Sequence, residues 1–225
     1  VDCQVWDFNG AEQVFAWGEP AERWAELEWT LLSAPICLQA SDQAGKIGVP
    51  IFDPKATNQA LTALASEQGW HAVPVPEELT MFGKDWDAGK GSVLAEWQFS
   101  NYPFLWNNVI RTETVLQGRV PLRYMDDTSA LVVVTKCGEF PSSNSTLYYE
   151  QAHAQLEAVL RYNTFDIPIR LVGLSLPHHA EVIEAMWTTY GGRYARHGES
   201  EFREFGVSRG RPLKYGVRSA TFHPM

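Results

Sequence analysis

Asp85-Trp86-Asp87, a turn around Gly91, and the run Ser92-Val93-Leu94-Ala95-Glu96-Trp97-Gln98-Phe99 are the stretch from which the fold can be read. An acidic residue enters a turn, and a strand-like run returns a second carboxylate and an amide two positions apart. Successive side chains of a strand point to opposite faces. Leu94, Glu96 and Gln98 therefore share one face, and Val93, Ala95, Trp97 and Phe99 the other. The apolar set is suited to a core, which leaves Glu96 and Gln98 on the face toward which Asp87 can fold. Two carboxylates converging beside a strand offer hard oxygen ligands for a divalent cation and a place to activate water, as phosphodiester cleavage requires. The same pattern also describes a solvated strand face, the ordinary home of Glu and Gln. These residues alone leave both readings open.

The flanking sequence extends the pattern. Residues 19–33 repeat Ala21, Trp24, Leu27 and Leu31 at helical spacing, with Pro35 just beyond. Residues 35–56 are rich in Gly, Pro, Ser and Asp and read as loop and turn, and residues 60–68 as a short helix. Val73-Pro74-Val75-Pro76 is extended, because each proline pushes its predecessor toward the β region. Pro103 opens a helix with Leu105, Val109, Thr112 and Leu116 on one stripe. Residues 130–135 form a continuous apolar run suited to a strand covered on both faces. A helix over 145–160 follows, with Tyr148, Ala152, Leu156 and Val159 inward, then a second buried strand over 167–174. Strand, helix, strand, helix, strand is the order of an α/β fold with a mixed central β-sheet flanked by helices. Beyond Pro177 the pattern becomes irregular and aromatic and predicts short β-elements. The expected division is a core over 1–176 with the catalytic centre and a smaller, β-rich, basic extension over 177–225.

A chain of 225 residues, 45% hydrophobic and 20% charged, suits one sizeable core. No apolar run approaches the roughly 18 residues that span a bilayer, and the start shows no secretory signal. Three scattered cysteines, Cys3, Cys37 and Cys137, point to reduced thiols in a cytoplasmic protein rather than a disulfide frame or zinc site. The net charge of −9 is uneven. Residues 193–225 carry seven Lys/Arg against three Glu, a local +4 that leaves −13 elsewhere. That basic end, interleaved with Tyr194, Phe202, Phe205 and Tyr215, is suited either to phosphate contact or to being a solvated tail. The six histidines show no ligand spacing. Gly173-Leu174-Ser175-Leu176-Pro177 lacks the second Gly of a nucleophile elbow. No Gly-rich phosphate loop is present, which argues against NAD and ATP as cofactors.

Longer strings carry a resemblance: Ser41-Asp42-Gln43-Ala44, Ile51-Phe52-Asp53-Pro54, Gln98-Phe99-Ser100-Asn101-Tyr102-Pro103-Phe104-Leu105, Ser143-Asn144-Ser145, Leu147-Tyr148-Tyr149-Glu150-Gln151-Ala152, Pro168-Ile169-Arg170-Leu171-Val172-Gly173-Leu174, and Arg193-Tyr194 with Arg196. In these the chain resembles the BglII-type type II restriction endonucleases of the PD-(D/E)xK nuclease superfamily, over about residues 24–196. The resemblance implies a restriction-endonuclease-like core and a prokaryotic, cytoplasmic homodimer. Such a dimer would cut double-stranded DNA at a palindromic site, with a GATC core and 5′ overhangs. A cognate DNA methyltransferase would be its genetic companion. It implies Asp87, Glu96 and Gln98 as the catalytic set. Mg²⁺ or another divalent cation such as Mn²⁺ would be held by Asp87, Glu96 and the Trp97 backbone carbonyl. It implies DNA contacts from Ser100, Asn101, Asn144, Ser145, Tyr194 and Arg196. Gln98 stands where most of the superfamily has lysine, a departure the family shares. Trp70-His71-Ala72-Val73-Pro74 is a residue shorter than the family's segment and lacks its Asn pair, so no role is carried over to that loop.

Other uses of the same residues remain. Asn144 and Ser145 also suit a helix N-cap ahead of Leu147, and Arg196 a surface ion pair. A repair or junction-resolving nuclease needs the same acidic set. A carbohydrate enzyme would use Asp87 and Glu96 as an acid/base pair among nine tryptophans. A non-catalytic DNA-binding protein would have no use for all three of Asp87, Glu96 and Gln98.

Overall fold

The computed structural model describes residues 1–143, 146–192, 195, 197–212 and 218–225. In chain order the elements are β1 (Asp2–Phe8), α1 (Ala11–Val14), α2 (Gly18–Ser33), β2 (Cys37–Ala40), β3 (Pro50–Phe52), α3 (Pro54–Glu67), β4 (His71–Pro74), a 3₁₀ turn (Glu77–Phe82), β5 (Asp85–Lys90) and β6 (Val93–Trp97). They continue with α4 (Pro103–Gly118), β7 (Ala130–Lys136), α5 (Tyr149–Leu160), β8 (Ile169–Ser175), β9 (Val182–Thr189), β10 (Glu199–Pro212) and β11 (Arg218–Pro224).

One sheet has the order β1-β8-β7-β6-β5-β4. Its centre is parallel, Ala95 lying beside Val132 and Val133 beside Leu171. The helices α4 and α5 are the connections that parallel neighbours require. Its flanks are antiparallel: β5 turns back from β6, and β1 pairs with β8 from Asp2↔Ser175 to Phe8↔Ile169. Every residue of β7 is buried, as expected of a strand covered on both sides. One face, with Ala95, Trp97, Val132 and Val134, packs on α2 and α3 and on the second sheet. The other, with Leu94, Leu131, Val133 and Leu171, packs under α4 and α5. The fold is therefore mixed α/β, as the periodicity predicts. No described helix is long and apolar enough to cross a membrane, and the three cysteines are free thiols.

Several elements differ from the sequence expectations. Residues 35–56 hold β2 and β3 rather than loop alone; these are strands of four and three residues, too short to show alternation. Helix α3 begins at Pro54, not at residue 60, because the Asp53 carboxylate accepts from Lys55 N and Ala56 N at 3.0 and 3.1 Å and caps it. Helix α5 begins at Tyr149 with Tyr148 as N-cap, later than the start at residue 145 expected from sequence. In place of short β-elements, the C-terminal region forms strands of 8, 14 and 7 residues. The second sheet runs β11-β10-β9-β2-β3. It draws on both sides of residue 176, since Leu38 of β2 pairs with Trp187 of β9. Asn144, Ser145, Tyr194 and Arg196 lie outside the described residues, as do Arg193, Lys214 and Tyr215.

Helix α5 reaches the sheet through a glycine. A Cβ at Gly173 would sit 2.6 Å from Tyr149 Cγ and 2.7 Å from Cys137 Sγ. Gly173→Ala is therefore expected to lower stability by about 1–3 kcal/mol through overpacking, read as an earlier urea midpoint. An unchanged midpoint would mean that α5 does not depend on this approach.

Candidate active site

The β5–β6 hairpin brings the acids together. Its register pairs Lys90 with Val93, Gly89 with Leu94 and Ala88 with Ala95. Asp87 and Glu96 are the next residues outward on each strand, so they leave the hairpin on one face. Gly91 closes the turn at φ +57°, a conformation a side chain would strain. The Asp87 Oδ2 accepts from the Trp97 backbone N–H at 2.8 Å, which fixes that carboxylate at the end of β6. Asp87, Glu96, Trp97, Gln98 and Ser100 line one cavity of about 500 Å³, together with Asp85, Asn58, Asn107, Asn108 and Arg111.

The Leu94-Glu96-Gln98 face is not a solvated one. Glu96 and Gln98 are each 5% exposed, because α4 lies over them. Burial of such groups requires partners, and α4 supplies them. Arg111 Nη2 pairs with Glu96 Oε1. Asn108 Nδ2 donates to Gln98 Oε1 at 3.0 Å. The Gln98 Nε2 donates in turn to Ser100 Oγ at 3.3 Å and to the Asn101 carbonyl at 3.2 Å. Ser100 and Asn101 are exposed at the rim. The Trp97 carbonyl, expected to touch a cation, accepts from Phe99 N at 3.2 Å and keeps a second lone pair.

Asn108 and Arg111 were not singled out from sequence. The stripe through Leu105, Val109, Thr112 and Leu116 left them to the outer face, yet both are buried. The signal was available: 105, 108, 111 and 115 follow one another at steps of three and four. Lys136 was missed as well. It is fully buried, its Nζ donates to the Leu147 carbonyl at 3.1 Å, and Phe52 and Tyr148 flank it. Burial pushes its ammonium down to about 7, against the opposing charge of Glu150.

Burial also holds the Asp87 carboxyl above its ordinary range; the Trp97 N–H and the Arg111 charge oppose this, and Asp85 adds to it. Burial likewise lowers Arg111 to about 10 against the pull of Asp87 and Asp85. A carboxylate whose ionised form is under-compensated is suited to taking up a cation. Among the described residues no group of three or more His, Cys, Asp or Glu is placed to hold a metal. Asp87 and Glu96 line the cavity with neutral oxygens of Trp97 and Ser100, a chemistry suited to a cation that keeps much of its water, as Mg²⁺ does.

A model of the family described as restriction endonuclease BglII/BglIII matches residues 3–174. The type II restriction enzyme BglII of Bacillus subtilis is 41% identical over 198 residues, covering 87% of this chain and 86% of that protein. The crystal structure of restriction endonuclease BglII complexed with a DNA 16-mer superposes with a TM-score of 0.91 at 36% identity, covering 100% of each chain. The crystal structure of free BglII superposes with a TM-score of 0.70 at 32% identity, covering 98% of this chain and 100% of that one.

The Asp87 environment makes a pH-dependent prediction. A carboxyl that holds its proton more tightly folded than unfolded loses stability as pH rises from its ordinary value of 3.8 through its raised one. Above that raised value the cost is fully present. Asp87→Asn keeps an oxygen for the Trp97 N–H and removes the charge. In EDTA its urea midpoint should exceed that of the wild type at pH 7–8, and the gain should shrink as pH falls toward about 4. A difference constant across that range would rule out burial of the Asp87 charge as its source.

Proposed function

The chain belongs to the restriction endonuclease BglII/BglIII family and is a type II restriction endonuclease, and on that premise we propose that it hydrolyses double-stranded DNA at a palindromic site with Asp87, Glu96 and Gln98 as its catalytic set. The observation that carries the assignment is the hairpin that points both carboxylates into the cavity also lined by the Gln98 segment. Cleavage of a phosphodiester needs in-line attack by water and neutralisation of the charge that develops on the phosphoryl oxygens. Asp87 and Glu96, with the Trp97 carbonyl, would hold Mg²⁺ or another divalent cation such as Mn²⁺. Bound there, the ion would supply that neutralisation and polarise the phosphate. Gln98 carries no charge, so its part is orientation. Asn108 donates to Oε1 and Nε2 is shared between Ser100 and Asn101, so the amide is set in one direction, and the second lone pair of Oε1 would position the attacking water.

Ser100 and Asn101 at the rim, and Asn144, Ser145, Tyr194 and Arg196 by family likeness, are the proposed DNA contacts. Asn suits bidentate pairing with adenine N6/N7, and Ser suits either kind of base edge. A basic surplus over residues 193–225 in an otherwise acidic chain favours phosphate contact by the 177–225 extension, with residues 1–176 carrying the catalytic centre. A palindrome cut on both strands calls for a two-fold homodimer with one active site per strand. Family likeness favours a GATC core, 5′ overhangs and a cognate methyltransferase that protects the host's own sites.

Digestion of a sequenced plasmid with Mg²⁺, followed by end-mapping, is expected to give discrete fragments with GATC at their ends, and none in EDTA. Cleavage of branched DNA with no discrete fragments from plain duplex would indicate a junction-resolving enzyme instead. Asp87→Ala and Glu96→Ala should each abolish cleavage while band-shift assays still detect DNA binding. Ordinary cleavage by either variant would remove that residue from the set. Asn144→Ala should cost about 1–3 kcal/mol at one base pair, whereas Arg196→Ala should weaken binding to all sequences alike.

A further inference from the structure

The acidic cavity already contains a cation. Arg111 is 2% exposed, its Nη2 is paired with Glu96 Oε1, and the charges of Asp87 and Asp85 act on it. Its guanidinium carbon lies 4.7 Å from the centre of the Trp86 ring, and Trp86 is itself fixed by a 2.9 Å bond from Nε1 to Thr112 Oγ1. Gly83 lies against the head group, where a Cβ would overlap Arg111 Nη1. The guanidinium is thus held by an indole, a glycine backbone and the Glu96 carboxylate, within reach of the charges of Asp87 and Asp85. Its Nε nevertheless has no hydrogen-bond partner among the described residues. An arginine serving stability alone would be expected to satisfy all its buried donors.

We infer that Arg111 is the resident counter-ion of the acidic cluster, and that its guanidinium must leave Glu96 before a divalent cation can be held there. Two positive groups at contact distance from one carboxylate repel each other strongly in a water-poor site. Arg111 and the metal are therefore competitors, and by linkage each weakens the other's hold on Glu96 by the same factor. The arrangement keeps Glu96 paired in the free enzyme and makes its affinity for the metal low. The inference rests on Glu96 being a cation ligand, as proposed above.

Mn²⁺ binding, followed by the loss of the free-ion electron paramagnetic resonance signal without DNA, tests it. Arg111→Met is expected to bind Mn²⁺ about tenfold more tightly than the wild type, equivalent to about 1.4 kcal/mol. It should also melt lower in EDTA, where Glu96 is left buried and unpaired, and Ca²⁺ should raise its melting temperature more than that of the wild type. Unchanged or weaker Mn²⁺ binding overturns the inference. Should Arg111→Met fail to fold, Gly83→Ala decides the matter. Its methyl crowds Nη1 and removes no charge, at the cost of backbone strain at φ +138°, so Mn²⁺ binding should again tighten, and no gain there overturns the inference equally. Glu96→Gln separates this from the functional assignment. Mn²⁺ binding that survives Glu96→Gln removes Glu96 as a ligand. Its loss there, with no gain in the Arg111 and Gly83 variants, removes only the counter-ion.

Discussion

A carboxylate held at 5% exposure between a sheet and a helix is tolerable only beside a cation, and the pairing of Glu96 with Arg111 meets that demand in this fold. The constraint reaches outward from there. It obliges α4 to cross the end of β6 with a polar patch, Asn108 and Arg111, set into an otherwise apolar face of Leu105, Val109 and Val115. It brings the guanidinium against Gly83, whose φ of +138° itself favours glycine, and it places Trp86 where its ring can cover the head group. Much of what surrounds the acids is there because charge has been taken out of water.

The sheet decides where this happens. In open α/β sheets, ligand sites gather beyond the carboxyl ends of parallel strands, and Glu96, Trp97 and Gln98 lie at that end of β6. Gln98 N still donates to Val134 O at 2.7 Å, so the chain remains attached to β7 as it leaves the strand. The site is consequently built on regular structure rather than on a free loop, which limits how far its side chains can wander.

What could be read from sequence followed from contrast within a single element. The alternation of β6 separated its two faces correctly, and the unbroken apolar run of β7 announced its burial. Reading the Glu96–Gln98 face as open to solvent failed at Leu94. An apolar residue sharing that face, and fully buried, calls for a lid, and α4 is that lid. Strands β1, β2 and β3 were illegible for a different reason. Their partners lie far along the chain: Asp2 opposes Ser175, and Cys37 opposes Met186. A four-residue strand carries too little pattern to announce such pairing. Arg111 was hidden because a helix wheel sorts residues by polarity, and a charged residue turned inward looks like one turned out.

The proposed catalytic amide of Gln98 is joined through Ser100 to Leu147, close in sequence to the proposed base contacts. Leu147 N donates to the Ser100 carbonyl at 3.0 Å, and the Ser100 hydroxyl accepts from the Gln98 amide at 3.3 Å. The proposed readers Asn144 and Ser145 stand three and two positions before Leu147 in the chain. On the other side of Leu147, its carbonyl takes a bond from the buried Lys136 ammonium, and Ser142 joins Thr146 and Tyr148 at 2.7 and 2.6 Å. Leu147 is thus tied to β7 through its carbonyl and to the Gln98 support through its N–H. A correct base contact that tightened this segment would act on Ser100, and through it on the orientation of Gln98. An incorrect one would leave that amide less well aimed. Coupling of this kind would let discrimination appear in the chemical step as well as in binding.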